Sequence, residues 1–257
     1  MKSRLAPIWP PIVVGIIIVS VWEGAVRAFD IKEFLLPRPS SIAAAVGDQW
    51  SLLRTAGWET GKTSVAGLLI GVVAGALLAL VVSRFGWLRG SVTPLAVALN
   101  ATPIIALAPI FNAWFGITDF RSNAAVVIVV VFFPVFINTG KGLAEVEPNQ
   151  IELMRSLAAS ENTVLRMVRI PNALPFFLTS LRLAAPLSVI AAIVAEYFGG
   201  PQNRLGPFIT QNASFSRYAN AWAAIVVASA IGLALFAASS LLEKVAMPWK
   251  RPEAMAS

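Results

Sequence analysis

Five polar or aromatic residues interrupt runs that are otherwise apolar: Asn100, Thr102, Phe133, Asn138 and Glu196. Amides, a hydroxyl, an aromatic ring and a carboxylate suit the binding of a small, polar, planar molecule. They do not make a nucleophile or a metal set. The chain has no Cys, hence no thiolate and no disulfide framework. It has no His, hence lacks the commonest general base and metal ligand. One stretch imitates nucleotide chemistry. Residues 56–63, AGWETGKT, fit a loosened phosphate loop with Ala56 at the first glycine. A working phosphate loop follows a buried strand and opens a soluble helix. Here DQWSLLRT precedes it, and the unbroken apolar run VAGLLIGVVAGALLALVV follows. No acidic residue on a second apolar strand is placed to hold Mg²⁺. The stretch reads as a decoy. An intramembrane enzyme is a weaker reading, since without His or Cys the chain lacks the usual nucleophile and metal sets.

A second polar stretch, Glu145 to Pro171, lies between two long apolar runs. From Gln150 to Ala158, the apolar Ile151, Leu153, Met154, Leu157 and Ala158 recur at helical spacing, with Glu152, Arg155 and Ser156 between them. Ser160 is suited to cap a second short helix, with Glu161 in its first turn. Val164, Leu165 and Val168 give that helix an apolar face, and Pro171 is expected to end it. Two readings are open. The helices form a docking surface for a soluble partner, or they lie on the headgroups.

The elements that must position these residues follow from composition. The chain is 57% hydrophobic and 13% charged, with mean hydropathy +0.75. Soluble domains carry about 25% charged residues. The expectation is one all-α polytopic membrane domain over 1–257. Its six spans lie near 12–29, 63–82, 91–115, 124–143, 174–198 and 221–242, with a loop over 145–171 between the fourth and fifth. The first run follows Lys2 and Arg4, as in a signal peptide. It holds Trp22 and Glu23 and lacks a small-x-small cleavage site, so it reads as a retained span. Within 30–59, LLPRPSSIAAAV predicts a short surface helix capped by Ser40 and Ser41. Gly67, Gly71 and Gly75 put one small face on the second span.

The third run carries Pro94, Pro103 and Pro109 among Asn100, Thr102 and Asn112. Proline at membrane depth is tolerated inside protein or beside a cavity, and broken helices often line substrate paths. A merely kinked packing helix is the alternative. In the fifth span Arg182 is expected to snorkel to the interface.

Six spans put both termini on one side. Lys2, Arg4, Arg84, Arg89, Lys141, Arg155, Arg166, Arg169, Lys244, Lys250 and Arg251 then share it, which makes it the cytoplasm. The net charge of +7 is spread in this way, with no basic tail or aromatic-interleaved patch, so no nucleic-acid partner is expected.

The stretch IELMRSLAASENTVLRMVRIPNALP resembles the cytoplasmic signature of permease subunits in binding-protein-dependent ABC importers. That signature reads E-A-A, three residues, G, nine residues, I, any residue, L, P. Glu152, Val168, Ile170 and Pro171 match it in spacing. Leu153 and Met154 replace the alanines, and Ala158 replaces the glycine. LPRPSSI, NATPIIALAPIFNAWFG, FFPVFINTGKGL, VAEYFGG and LGPFI resemble the nitrate, sulfonate, taurine and pyrimidine or riboflavin-precursor branch. The resemblance implies a bacterial cytoplasmic-membrane subunit that does no chemistry. Its partners would be two cytoplasmic ATP-binding subunits that use ATP and Mg²⁺, a second permease copy or homologue, an extracytoplasmic solute-binding protein and the bilayer. It implies that Glu152, Arg155, Ser156, Leu157, Ala158, Ala159 and Pro171 couple to the ATPases. Sulfonates, nitrate, pyrimidines and flavins are all allowed as solutes. The alternative is an ion-coupled secondary transporter. Its carboxylates should lie at mid-bilayer, whereas Glu23 and Glu196 lie near expected span ends.

Overall fold

The computed structural model describes residues 9–100 and 104–248. Among them, five helical stretches are long and apolar enough to cross a membrane: Trp9–Ala28, Trp50–Arg84, Phe120–Ala144, Glu161–Phe198 and Tyr218–Ala246. In chain order the helices are α1 Trp9–Ala28, α2 Pro39–Asp48, α3 Trp50–Arg84, α4 Gly86–Asn100, α5 Ala108–Phe115, α6 Phe120–Ala144, α7 Pro148–Ser156, α8 Glu161–Val164, α9 Ile170–Phe198, α10 Leu205–Ser214 and α11 Tyr218–Ala246.

The glycine face of α3 sets the core. A Cβ on Gly67 would lie 2.5 Å from Val127, one on Gly71 2.8 Å from the Ile128 carbonyl, and one on Gly75 2.8 Å from the Phe132 carbonyl. Only hydrogen at these sites lets the α6 backbone come so close. The contacts advance in step along both helices, so α3 and α6 run parallel. Val127, Val131 and Val135 fill the seam, and Ala184, Ala185 and Ala192 of α9 close it from the other side. Gly142 of α6 meets Ala173 and Phe176 at the start of α9. Val126 packs with Ala195 near its end, so α9 runs antiparallel to α6. Then α11 returns along α9, with Gly232 beside Pro186.

Parallel α3 and α6 require residues 85–119 to bring the chain back along the bundle. The expectation of one span over 91–115 is corrected here. The return is made in two pieces, α4 and α5, with a 3-10 turn over Ile104–Leu107 before α5. Pro109 sits in the first turn of α5, where a missing N–H leaves no bond unmade. Pro94 lies inside α4. Pro103 is outside the described residues.

The start of α3 and the cap of α2 also differ from expectation. α3 begins at Trp50, well before the expected 63, because residues 50–62, too polar to register as part of an apolar run, are helix as well. The phosphate-loop lookalike is therefore plain helix. Ser64 donates to the Thr60 carbonyl at 2.9 Å and Thr63 to that of Glu59 at 3.2 Å, while Lys62 pairs with Glu59 at 2.7 Å. The N-terminus of α2 has no side-chain cap from Ser40 or Ser41. Instead Glu23 of α1 accepts from the Ser40 N–H at 3.0 Å and its hydroxyl at 2.8 Å. A carboxylate is favourable at a helix N-terminus, whichever segment supplies it. Apart from this tie and Trp22, which meets Trp222 edge-on at 5.5 Å, α1 stands largely clear, with only Val26 buried. Arg182 does not simply snorkel; it pairs with Glu243 of α11 at 3.1 Å.

Candidate functional site

Residues 145–171 form an exposed elbow between α6 and α9. No residue of α7 is buried. Glu152, Arg155, Ser156, Leu157 and Ala158 are exposed, and Ala159 is half-buried. Leu153 is 59%, Leu157 67% and Met167 68% exposed. The apolar stripe expected on this helix thus exists, with Ile151 and Met154 half-buried and Leu153 and Leu157 left exposed.

The elbow turns at Ala158. Its N–H donates to the Arg155 carbonyl at 2.9 Å and the Ala159 N–H to that of Met154 at 3.0 Å. This is the paired helix stop that normally has glycine in the left-handed position. Ala158 holds that position, with φ +49°. The signature's glycine and this chain's departure from it thus fall on one backbone requirement. Beyond the turn, the Ser160 hydroxyl accepts from the Thr163 N–H at 3.3 Å and caps α8. The expectation that Pro171 ends this second helix is corrected. A π turn over Leu165–Arg169 leads straight into α9, and Pro171 lies in its first turn. The Ile170 N–H bonds five residues back, to Leu165. The wide turn stops just before the proline that has no N–H to offer.

Sequence reasoning missed Asn172. Its amide donates to the Gly142 carbonyl at 2.7 Å and to the Glu145 carbonyl at 2.9 Å. These carbonyls close α6, so one side chain joins both ends of the elbow. Its signal was an asparagine directly after the signature proline.

The five path candidates do not converge on one cavity. Asn100 is exposed at the last residue of α4. Thr102 lies outside the described residues. Phe133 is half-buried, edge-on to Phe132 at 5.1 Å, and packs in the cluster shared by α3, α4 and α6. Asn138 donates to the Pro134 carbonyl one turn back, at 2.8 Å. Glu196 is only 2% exposed and faces inward.

Glu196 belongs to a knot at the end of the bundle away from α7. It accepts from Thr60 of α3 at 3.1 Å and from the Gly206 N–H of α10 at 3.0 Å. Thr60 in turn accepts from the Leu205 N–H at 3.1 Å. Arg204 is buried, with its guanidinium 3.7 Å from the carboxylate and 5.8 Å from the Phe120 ring centroid. A buried charge needs such partners. Beside the knot opens a cavity of about 410 Å³ lined in part by Glu196, Tyr197, Gln202, Thr210, Gln211 and Ser214. Nearby, Asn112 of α5 donates to the Phe198 carbonyl at 3.0 Å and accepts from Ser122 of α6. Asp119 caps α6 through the Arg121 N–H at 2.8 Å. Hydrogen bonds from the Arg121 side chain hold its carboxyl below the usual carboxylate range. No group of three or more metal-ligating side chains occurs among the described residues.

Residues 67–250 match the family described as "binding-protein-dependent transport system inner membrane component". The chain is 33% identical to the formylaminopyrimidine transport permease protein ThiX of Halalkalibacterium halodurans, over 95% of this chain and 96% of that protein. It is 26% identical to the riboflavin transport system permease protein RibX of Chloroflexus aurantiacus, over 94% and 91%. It is 26% identical to the putative aliphatic sulfonates transport permease protein SsuC of Escherichia coli, over 96% and 92%. Among solved structures, it resembles a chain of the MetNI methionine ABC transporter in an inward-facing conformation. The TM-score is 0.66 at 18% identity, covering 77% of this chain and 97% of that one.

Proposed function

This chain belongs to the binding-protein-dependent transport system inner membrane components, and we propose that it forms the membrane pathway of an ATP-driven importer of a small polar organic or anionic solute. The subunit is a permease and carries no chemistry itself. An extracytoplasmic binding protein delivers the solute. Two separate cytoplasmic ATPase subunits use ATP and Mg²⁺. A second permease copy or homologue completes the pathway. Both termini and the 145–171 elbow lie in the cytoplasm of a bacterial inner-membrane protein, and α2 and α10 face outward.

One observation supports the coupling role above others. The elbow presents Glu152, Arg155, Ser156, Leu157, Ala158 and Ala159, none of them buried, yet Asn172 ties its two ends to the spans. A partner seated on Leu153 and Leu157 moves α6 and α9 with it. ATP shifts the permease only if the partner binds its two states unequally; the elbow is where that difference is exerted. Pro171 sets the exit angle of the elbow into α9.

For the pathway we assign Asn100 and Phe133 on the α4–α6 face as lining residues, with Thr102 as a further candidate by its sequence position. Asn138 and Glu196 are bonded within the chain and hold the walls. The aromatic and amide groups suit a small planar nitrogen heterocycle, the class to which the formylaminopyrimidine of the relative named above belongs. Reconstituted vesicles test the function. Uptake requires ATP, the ATPase subunits and a binding protein together. Uptake driven by an ion gradient alone would reject the reading.

A further inference from the structure

We propose that the groove between α3 and α11 is a binding site for an anionic phospholipid, with an acyl chain along its apolar floor and the phosphate held by Arg54 and Lys62. The groove has a volume of about 1090 Å³. The two helices touch near its floor, where a Cβ on Gly57 would come within 3.1 Å of Val227 and 3.4 Å of Ile231. Elsewhere small residues leave it open. A Cβ on Gly61 would meet nothing within 4 Å, and Ala66, Ala230 and Ala234 line the same space.

Its chemistry is graded along α3. A 35-residue helix is about 52 Å long, against roughly 30 Å of hydrocarbon in a bilayer. Its first turns therefore stand in the headgroup layer. Trp50 and Trp58 sit there, 53% and 69% exposed, as amphipathic rings do at that depth. Arg54 and Lys62 lie on the same side, two turns apart, and both line the groove. Val65 and Leu69 continue it toward the hydrocarbon.

Charge selects the occupant. Arg54 is exposed and has no partner among the described residues. Lys62 is paired with Glu59, and Glu59 does not line the groove. The three side chains together leave one positive charge, the complement of one phosphodiester. A zwitterionic headgroup brings its own cation and leaves that charge unmatched. The residues that imitate a phosphate loop thus do offer a cation to phosphate, but from the side of a membrane helix.

The test is native mass spectrometry of the full chain in neutral detergent, titrated with phosphatidylglycerol and phosphatidylcholine of equal acyl length. The wild type should retain one phosphatidylglycerol in preference to phosphatidylcholine. Arg54→Gln and Lys62→Gln should each weaken phosphatidylglycerol about fivefold, the factor equivalent to about 1 kcal/mol per basic residue at a lipid surface, and leave phosphatidylcholine unchanged. Gly61→Leu should reduce retention of both lipids, since it fills open space without a clash. Arg217→Gln, an exposed cation outside the groove, should change nothing. Equal binding of the two lipids, or a preference that survives Arg54→Gln and Lys62→Gln, would overturn the proposal. So would efficient crosslinking between copies through Trp58→Cys, which would make the occupant protein.

Discussion

Asn172 reaches back 30 residues to donate to the Gly142 carbonyl. The bond closes the elbow into a ring whose two ends cannot separate while it holds. Replacing Asn172 by Leu removes this bond and the one to Glu145 at a cost of about 1 kcal/mol each. Insertion should survive, while solute imported per ATP hydrolysed falls. A variant that keeps the wild-type ratio would show that the bond is not part of coupling.

Glu152 is exposed on α7, so its replacement disturbs no packing in its own chain. Glu152→Lys should leave membrane level unchanged and impair ATP-dependent uptake, because it reverses a charge on the surface proposed to meet the ATPase. Normal uptake at equal membrane level would remove this side chain from the contact.

Ala158 occupies the left-handed region at φ +49°, where a Cβ costs about 1–2 kcal/mol. Ala158→Gly should recover about 1 kcal/mol of that, less what glycine gains in the unfolded chain. Ala158→Val should lose more than Ala158→Gly gains, since a branched side chain is worse there. Thermal denaturation of the detergent-solubilised protein gives both signs. An unchanged midpoint in both variants would mean that the elbow unfolds separately from the bundle.

Glu196→Ala leaves Arg204 buried without its carboxylate, a loss of about 3–5 kcal/mol for a buried pair broken on one side. The Gly206 N–H loses its acceptor as well. The expected outcome is a lower melting temperature and faster proteolysis in 199–217. Loss of transport with unaltered stability would instead return Glu196 to the solute path.

Asn100→Cys and Phe133→Cys test the pathway in a chain that has no cysteine of its own. In the assembled transporter, a membrane-impermeant thiol reagent should label both, at a rate that changes with binding protein and ATP. If neither is labelled in any state while Gln202→Cys is labelled readily, the path does not run along α4 and α6.

Hydropathy made the long spans legible because lipid-facing and buried residues are both apolar. It started α3 too late because Trp50 to Lys62 is helix but too polar for hydropathy to report. It merged α4 and α5, since a break inside protein need not change composition. The short helix α7 was readable from the spacing of Ile151, Leu153, Met154 and Leu157. The turn after it was readable only through a glycine that this chain lacks. The ties made by Asn172, Thr60 and Arg204 were not readable, since each joins residues far apart in sequence and depends on which helices are neighbours. Glu196 was picked out as polar among apolar residues. Its inward partners on α3 and α10 give it a holding role that sequence position alone does not reveal.

The glycine row of α3 has a mechanical consequence. Gly67, Gly71 and Gly75 each receive the α6 backbone at a four-residue step, opposite Ala124, Ile128 and Phe132. A slide of less than one helical turn drives ordinary side chains into that backbone. The pair therefore either moves as one stiff ply or jumps a full four-residue step, about 6 Å. A push at the foot of α6 is carried toward the Thr60 knot along a 25-residue helix, about 37 Å.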